Sequence, residues 1–313
     1  MAVEETNVSL QSQLSLEERF KLIRSIGEEC IQDDELEKLL ANKSHIICYD
    51  GFEPSGRMHI AQGVMKVINV NKLIRAGCKV KIWIADRFAL MNKKMGGDME
   101  KIKVVGDYFI EVWKGLGMDS NVEFIWSSKE IKSRCNEYWD LVTDISMRTT
   151  LGRIMRCCQI MGRSEKDDLS AAQLFYPCMQ CADIFFLQAD ICQMGMDQRK
   201  VNMLAREYCD DTGREDKPII LSHHMLPGLQ EGQEKMSKSD PSSSIFMEDE
   251  EWTFTCFEDL VIDYENGELH PGDLKPALAK ALNCILKPVR DHFSNDEKAK
   301  ELLKNVKGYN VSR

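Results

Sequence analysis

Apolar positions recur along the chain at two spacings, and the switches between them mark the elements. Ser15 followed by Glu18, ahead of Phe20, Leu22 and Ile23, reads as a capping box that opens a helix. An acidic stretch over 33–37 starts a second short helix that ends near Leu40. A run of buried-strand type over 45–49 is broken by Gly51, Pro54 and Gly56. An amphipathic helix follows over 59–75, stopped by Gly77. Strand, turn and helix then repeat: a strand over 80–85 ending at Asp86, a helix over 101–116 closed by Gly117, and a strand over 122–126 ending in Ser127 and Ser128. Residues 175–187 read as helix, and 189–192 and 219–222 as short strands. Such alternation predicts parallel βαβ units, hence an α/β fold with a Rossmann-like doubly wound parallel sheet.

The texture changes after Leu226. Residues 228–245 are rich in Gly, Ser, Lys and Gln without periodicity, the pattern of a mobile loop. Helical periodicity returns over 273–293 and 296–306. The expected organisation is a sheet domain over 1–227 with an insertion at about 128–170, a loop over 228–245, and a small helical region over 246–313.

Three stretches carry chemistry. The first strand leads into Tyr49-Asp50-Gly51-Phe52-Glu53-Pro54-Ser55-Gly56-Arg57-Met58-His59-Ile60-Ala61-Gln62, a turn at the carboxyl edge of the sheet, where ligands of such folds bind. Its glycines let backbone approach a nucleotide closely, and Ser55 and His59 can donate to phosphate oxygens beside a helix N-terminus. An ordinary strand-to-helix turn accounts for the same residues. The stretch is neither a Walker loop nor a GxGxxG fingerprint. In the second, Lys235-Met236-Ser237-Lys238-Ser239, two ammonium groups three residues apart in a loop can close over a polyphosphate as pyrophosphate leaves. A solvated basic loop is the plainer alternative. The third places Tyr176, Gln180 and Asp183 at i, i+4 and i+7, on one helix face among Ile184, Phe185 and Phe186. Polar groups buried there without a use would be costly, while a polar helix surface would have the same spacing.

Together the first two stretches resemble the paired HIGH and KMSKS signatures of class I aminoacyl-tRNA synthetases. The first is imperfect, since Ala61 and Gln62 stand for its Gly and last His. The third stretch, with Met194-Gly195-Met196-Asp197-Gln198-Arg199-Lys200, is similar to the tyrosine pocket of tyrosyl-tRNA synthetases, and GFEPSG to their archaeal and eukaryotic branch, plant cytosolic enzymes included. The resemblance implies activation of L-tyrosine with ATP and Mg2+, and transfer of the tyrosyl group to tRNA(Tyr). It implies that Tyr49 and Asp183 hold the substrate's phenolic hydroxyl, and Tyr176 and Gln180 its ammonium, with Asp86 near that ammonium. Gln198 would face the carboxylate and α-phosphate, and Asp197 the ribose. Gly51, Ser55, His59, Gln62 and Lys235 to Ser239 would bind ATP, with His59, Gln198, Lys235 and Lys238 in catalytic roles. His270 and Asp273 resemble the anticodon-reading turn, and homodimerisation through 128–170 follows from the family as well.

Relatives carry several helices between the KMSKS loop and that turn. Here Glu248-Asp249-Glu250-Glu251 passes directly into Trp252, which reads as a deletion. Two alternatives stay in view: an isoform that forms tyrosyl-adenylate but charges tRNA poorly, and a tryptophanyl-tRNA synthetase, which would have no use for Tyr49 and Asp183 together.

The net charge of −10 argues by itself against a nucleic-acid partner, but its distribution alters that. Residues 1–40 hold ten acids against four bases, whereas 87–163 hold thirteen bases against ten acids. Local patches govern contact with phosphate backbones, so tRNA is permitted. Most of the 12 cysteines are scattered singly, and these, like Cys178 and Cys181 of the one CxxC, read as small buried hydrophobes in a reducing cytosol, with no metal site expected. The acidic N-terminal stretch lacks the apolar core of a secretory signal, and no apolar run approaches the roughly 18 residues of a membrane span.

Overall fold

A computed structural model describes residues 14–158, 168–226, 244–249 and 271–309, giving the backbone alone for 271–278. Helix α1 (Leu16–Arg24) begins at the expected capping box, with Ser15 and Glu18 each bonded to the other's backbone N–H. Strand β1 (Glu29–Ile31) and helix α2 (Asp33–Asn42) follow. Next come β2 (Ile47–Phe52), α3 (Lys66–Arg75), β3 (Lys79–Ile84), α4 (Asp86–Met91), α5 (Met99–Gly115) and β4 (Glu123–Trp126). The inserted segment contributes α6 (Ser127–Ser133), α7 (Cys135–Arg148) and α8 (Leu151–Cys157). The series of labelled elements closes with α9 (Ala171–Phe186), β5 (Ile191–Gly195), α10 (Arg199–Thr212) and β6 (Ile219–His223).

The six strands lie in the order β1-β6-β5-β2-β3-β4. Five are parallel, and β1 closes one edge antiparallel to β6. The fold is thus Rossmann-like and doubly wound, with a mixed sheet where the hydrophobic pattern implied a purely parallel one. At three residues β1 is too short to show alternation. From β2 the chain winds outward through β3 and β4, then returns to the other side of β2 as β5. The topological switch therefore lies between β2 and β5, where doubly wound sheets open a crevice at their carboxyl ends.

Two apolar clusters sandwich the sheet. One gathers α1, α2, α3 and α5 around Tyr108, Phe109 and Trp113; the other gathers α7, α9 and α10 around Tyr138, Phe186 and Tyr208. The helices Pro271–Asn295 and Glu297–Lys307 join the first cluster through Leu286, Val289, Phe293, Ala299 and Val306. Phe293 packs on Tyr108 with ring centroids 5.6 Å apart, and His292 meets Glu111 at 2.9 Å. These helices share the sheet domain's core, among the described residues, instead of building one of their own.

The helix expected over 59–75 is regular only from Lys66. Before it comes a π-helical turn, Ala61–Met65, a widened form that often occurs at functional sites. Residues 244–249 lie across this turn: Ile60 N–H donates to the Ile245 carbonyl at 2.8 Å and Met247 N–H to the Met58 carbonyl at 2.9 Å. Gly63 makes the crossing possible, because a Cβ there would sit 2.5 Å from the Met247 sulfur. Arg57 pairs with Glu248 and Asp249, and Tyr108 donates to Glu248 at 2.7 Å. Arg290 donates to the Asp249 carbonyl at 3.1 Å, fastening the C-terminal helices to the same strap.

Candidate active site

A cavity of about 480 Å3 opens at the switch point, above the carboxyl ends of β2 and β5. One half is lined by Tyr49, Trp83, Phe88, Tyr176, Gln180 and Asp183. The other is lined by Gly51, Ser55, His59, Gln62, Asp197 and the stretch 223–226, and Gln198 joins the two halves. Side chains separated by more than a hundred positions in sequence converge because β2 and β5 end at the edge near which α9 begins.

In the first half, Asp183 is 1% exposed on the inner face of α9. Tyr138 donates to its Oδ1 at 2.9 Å, and the Tyr49 hydroxyl stands 3.5 Å from Oδ2. Burial pushes the Asp183 carboxyl well above the usual range, with the Tyr138 and Tyr49 hydroxyls opposing the rise. Burial and the nearby carboxylate push Tyr49 upward too, so its phenol remains a donor. Tyr176 donates to Glu53 at 2.7 Å and packs edge-on against Phe88 at 4.9 Å. With its proton committed to Glu53, the Tyr176 oxygen turns its lone pairs to the cavity and can receive a cation. Gln180 donates from Nε2 to Gln198 Oε1 at 3.0 Å.

The floor on the α3 side is a buried polar chain. Lys66 contacts Asp50 and donates to Gln193 Oε1 at 2.8 Å, and Gln193 Nε2 stands 2.6 Å from His223 Nδ1. Since the Gln193 oxygen already receives the ammonium, its amide N–H points at His223, whose Nδ1 must be the bare acceptor. Burial, then the charge of Lys66, push His223 down to about 3, which keeps the imidazole neutral. Burial pushes Lys66 down to about 7, and contact with Asp50 works against that shift.

Of the residues singled out from sequence, Tyr49, Gly51, Ser55, His59, Gln62, Tyr176, Gln180, Asp183, Asp197 and Gln198 all line the one cavity. Asp86 does not. It is fully buried and accepts from Ser127 Oγ at 2.6 Å, Ser128 N–H at 2.8 Å and Arg87 N–H at 2.9 Å. Its carboxylate fixes the starts of α4 and α6, so the expectation that it meets a substrate ammonium is replaced by this capping role. Lys235, Met236, Ser237, Lys238, Ser239 and His270 lie outside the described residues, and Asp273 is described in backbone only, within Pro271–Asn295. Sequence reasoning missed Glu53, Asp50, Lys66, Tyr138 and His223. Glu53 and Asp50 were visible inside the glycine-rich stretch, and Lys66 as a polar residue on the apolar stripe of α3.

Cys178 and Cys181 are buried in α9, and burial pushes the Cys181 thiol well above its usual range. Among the described residues no helix is long and apolar enough to cross a membrane.

A doubly wound sheet with this cavity at its switch point, a histidine at the opening of the β2–α3 turn and a strap laid across that turn define a class I synthetase catalytic domain. The model of class I tRNA synthetases of the tryptophan and tyrosine type matches residues 41–255. The chain is 61% identical to the cytoplasmic tyrosine--tRNA ligase 1 of Arabidopsis thaliana, over 95% of this chain and 90% of that protein. It is 60% identical to ligase 2 of the same plant, of which it spans 47%. A Leishmania major tyrosyl-tRNA synthetase solved with tyrosinol superposes with a TM-score of 0.89 at 49% identity, over 95% of this chain and 61% of that one. The chain belongs to the tyrosyl-tRNA synthetase family. The alignment with ligase 1 runs to 347 positions yet takes up 95% of 313 residues, so about fifty positions of the relative face no residue here.

Proposed function

We propose that this chain is a cytoplasmic tyrosine--tRNA ligase that activates L-tyrosine with ATP and transfers the tyrosyl group to tRNA(Tyr). The single observation that carries the substrate is the pairing of Asp183 Oδ2 with the Tyr49 hydroxyl at the blind end of the cavity, 3.5 Å apart. An acid and a phenol aimed at one point suit a hydroxyl that donates to the first and accepts from the second. Phenylalanine would leave both unpaired, at about 1–3 kcal/mol per group; a tyrosyl-tRNA synthetase is the standard case of such rejection. An indole N–H offers no lone pair to Tyr49, which disfavours tryptophan.

In this reading the Tyr176 oxygen and Gln180 receive the ammonium, and Gln198 meets the carboxylate beside the α-phosphate. Asp197 takes ribose hydroxyls. Gln62 Oε1, buried with no hydrogen-bond partner among the described residues, adds an acceptor on the nucleotide side. ATP enters as its magnesium complex. The tyrosine carboxylate attacks the α-phosphorus and pyrophosphate leaves, so positioning and charge stabilisation by His59 and the lysines at 235 and 238 supply the catalysis. In the second step a 3′-terminal ribose hydroxyl of tRNA attacks the adenylate.

The expected result is ATP–pyrophosphate exchange that depends on tyrosine and is absent with phenylalanine or tryptophan. A folded protein without exchange would overturn the reading. A second reading, adenylate formation with poor charging, is favoured by the roughly fifty positions of ligase 1 that face no residue here, taken with the break in resemblance read from the sequence after Glu251. Exchange at full rate with aminoacylation reduced at least tenfold is its signature.

The chain pairs as a homodimer through the inserted helices, where Trp139, Met147 and Leu151 are 43%, 81% and 65% exposed. Exposed apolar residues clustered on one segment mark a contact surface. Sedimentation equilibrium should give a dimer for the native chain and a folded monomer after Met147→Glu with Leu151→Glu.

A further inference from the structure

Asp183 presents a physical difficulty for the function just described. It must be ionised to accept the substrate's phenolic proton, yet it is 1% exposed and burial drives it toward the neutral form. No lysine, arginine or histidine forms an ion pair with it among the described residues. The groups facing it are Tyr49 and Trp83 from the sheet, Tyr176 two turns earlier on α9, and Tyr138 from α7, with Arg87 close enough to act on Tyr138.

Tyr138 stands apart in this set because it lies behind the carboxylate and does not line the cavity. It is fully buried, held edge-on against Phe186 at 4.9 Å. Its hydroxyl lies 2.9 Å from Asp183 Oδ1 and 3.3 Å from the Met179 carbonyl. A phenol has one proton to give, and the nearer, charged acceptor takes it. The Met179 carbonyl meanwhile lies in the interior of α9, four residues before Asp183, where the helix's own N–H satisfies it.

We propose that Tyr138 is a positioning residue for tyrosine selection: from outside the cavity it occupies Oδ1, keeps Asp183 ionised, and leaves Oδ2 turned to the substrate phenol. This rests on the tyrosine-activating reading and adds a requirement to it, that the inserted helix α7 helps to build the amino-acid pocket. Without the Tyr138 proton the carboxyl would hold its own proton to higher pH, and a protonated Asp183 would compete with the substrate as a donor. The Tyr49 hydroxyl, at 3.5 Å from the other oxygen, works in the same sense but less strongly than Tyr138 at 2.9 Å.

The test is tyrosine-dependent ATP–pyrophosphate exchange by the full chain across pH 5–9, native against Tyr138→Phe, with thermal unfolding of both. At pH 7 the variant should lose about ten- to a hundredfold in kcat/KM for tyrosine, the scale of one hydrogen bond to a charged group. Its KM for ATP should not change. The acid limb of the kcat/KM profile should move up by about one to two pH units, so that the deficit shrinks toward pH 9. An unmoved limb, or equal losses toward tyrosine and ATP, would overturn the proposal, because a packing defect has no reason to titrate. If the phenylalanine variant does not fold, Tyr138→Met, which also lacks a donor, decides on the same limb: displaced upward it supports the role, unmoved it refutes it. A native chain with no tyrosine-dependent exchange would instead refute the functional reading itself.

Discussion

Asp183→Asn should remove tyrosine activation while making the protein more stable. The substitution keeps the shape of the side chain but takes away the charge that, in the proposed function, receives the substrate's proton, and the amide N–H2 would face the phenol as a competing donor. The expected loss is about a hundredfold or more in kcat/KM for tyrosine, since a charge-assisted bond goes and a buried donor is left unmatched. The stability gain follows from linkage. The Asp183 carboxyl titrates above its ordinary value of 3.8 in the folded chain, so the folded state holds that proton more tightly than the unfolded state. Stability is therefore lost as pH rises from the unfolded pKa toward the folded one, and the full cost remains above both. The amide escapes that cost. Unfolding at pH 8 should occur about 2–8 °C higher in the variant, on the order of 1–3 kcal/mol, with the difference gone near pH 4. Equal stability at both pH values would show that Asp183 is not strained by its burial.

Lys66→Met should have the opposite profile, a large loss of stability from a residue that carries out no chemistry. Lys66 and Asp50 are 3% and 4% exposed, and the ammonium is in direct contact with the carboxylate. Methionine preserves the stem but leaves Asp50, among the described residues, with the Gly51 N–H at 2.8 Å as its remaining hydrogen-bond donor. Breaking a buried ion pair from one side costs about 3–5 kcal/mol, against which the added apolar packing is small. Thermal unfolding should fall by about 6–15 °C. Adding Asp50→Asn to the same chain should restore most of the loss, because the stranded charge is gone. Exchange kinetics separate a further effect: without Lys66 the Gln193 amide is free to turn over, and His223 loses the neighbour that fixes its tautomer. The KM for ATP should then rise with the KM for tyrosine unchanged.

Most of the fold was legible because its signals are local. The capping box at Ser15 and Glu18, the β2 run with its glycine-rich turn, and the amphipathic α5 each declare themselves within a stretch of about twenty residues or fewer. What escaped was either too short or non-local in origin. Strand β1 exists because β6 offers it an edge, and nothing in Glu29-Cys30-Ile31 alone says so. The π-helical turn over Ala61–Met65 depends on the strap crossing at Gly63, which lies 184 positions from Met247. The C-terminal helices carried clear periodicity, yet their partner, α5, is not written in it.

The same division runs through the site. Residue types and spacings determined by themselves that a glycine-rich turn follows β2 and that Tyr176, Gln180 and Asp183 share a helix face, since side-chain periodicity is a property of the backbone. It was the resemblance of three motifs to known signatures, and not composition, that pointed to the tyrosyl-tRNA synthetases. Tertiary structure alone decided which of two acids lines the cavity. Asp86 and Asp183 are both acids at the ends of elements, but one is consumed by Ser127 and Ser128 while the other keeps an oxygen for the cavity. It also decided that Tyr138 stands behind Asp183 and that Lys66 is bound to Asp50 and Gln193. A carboxylate's role depends on which donors reach it first, and those donors arrive from elements far away in the chain.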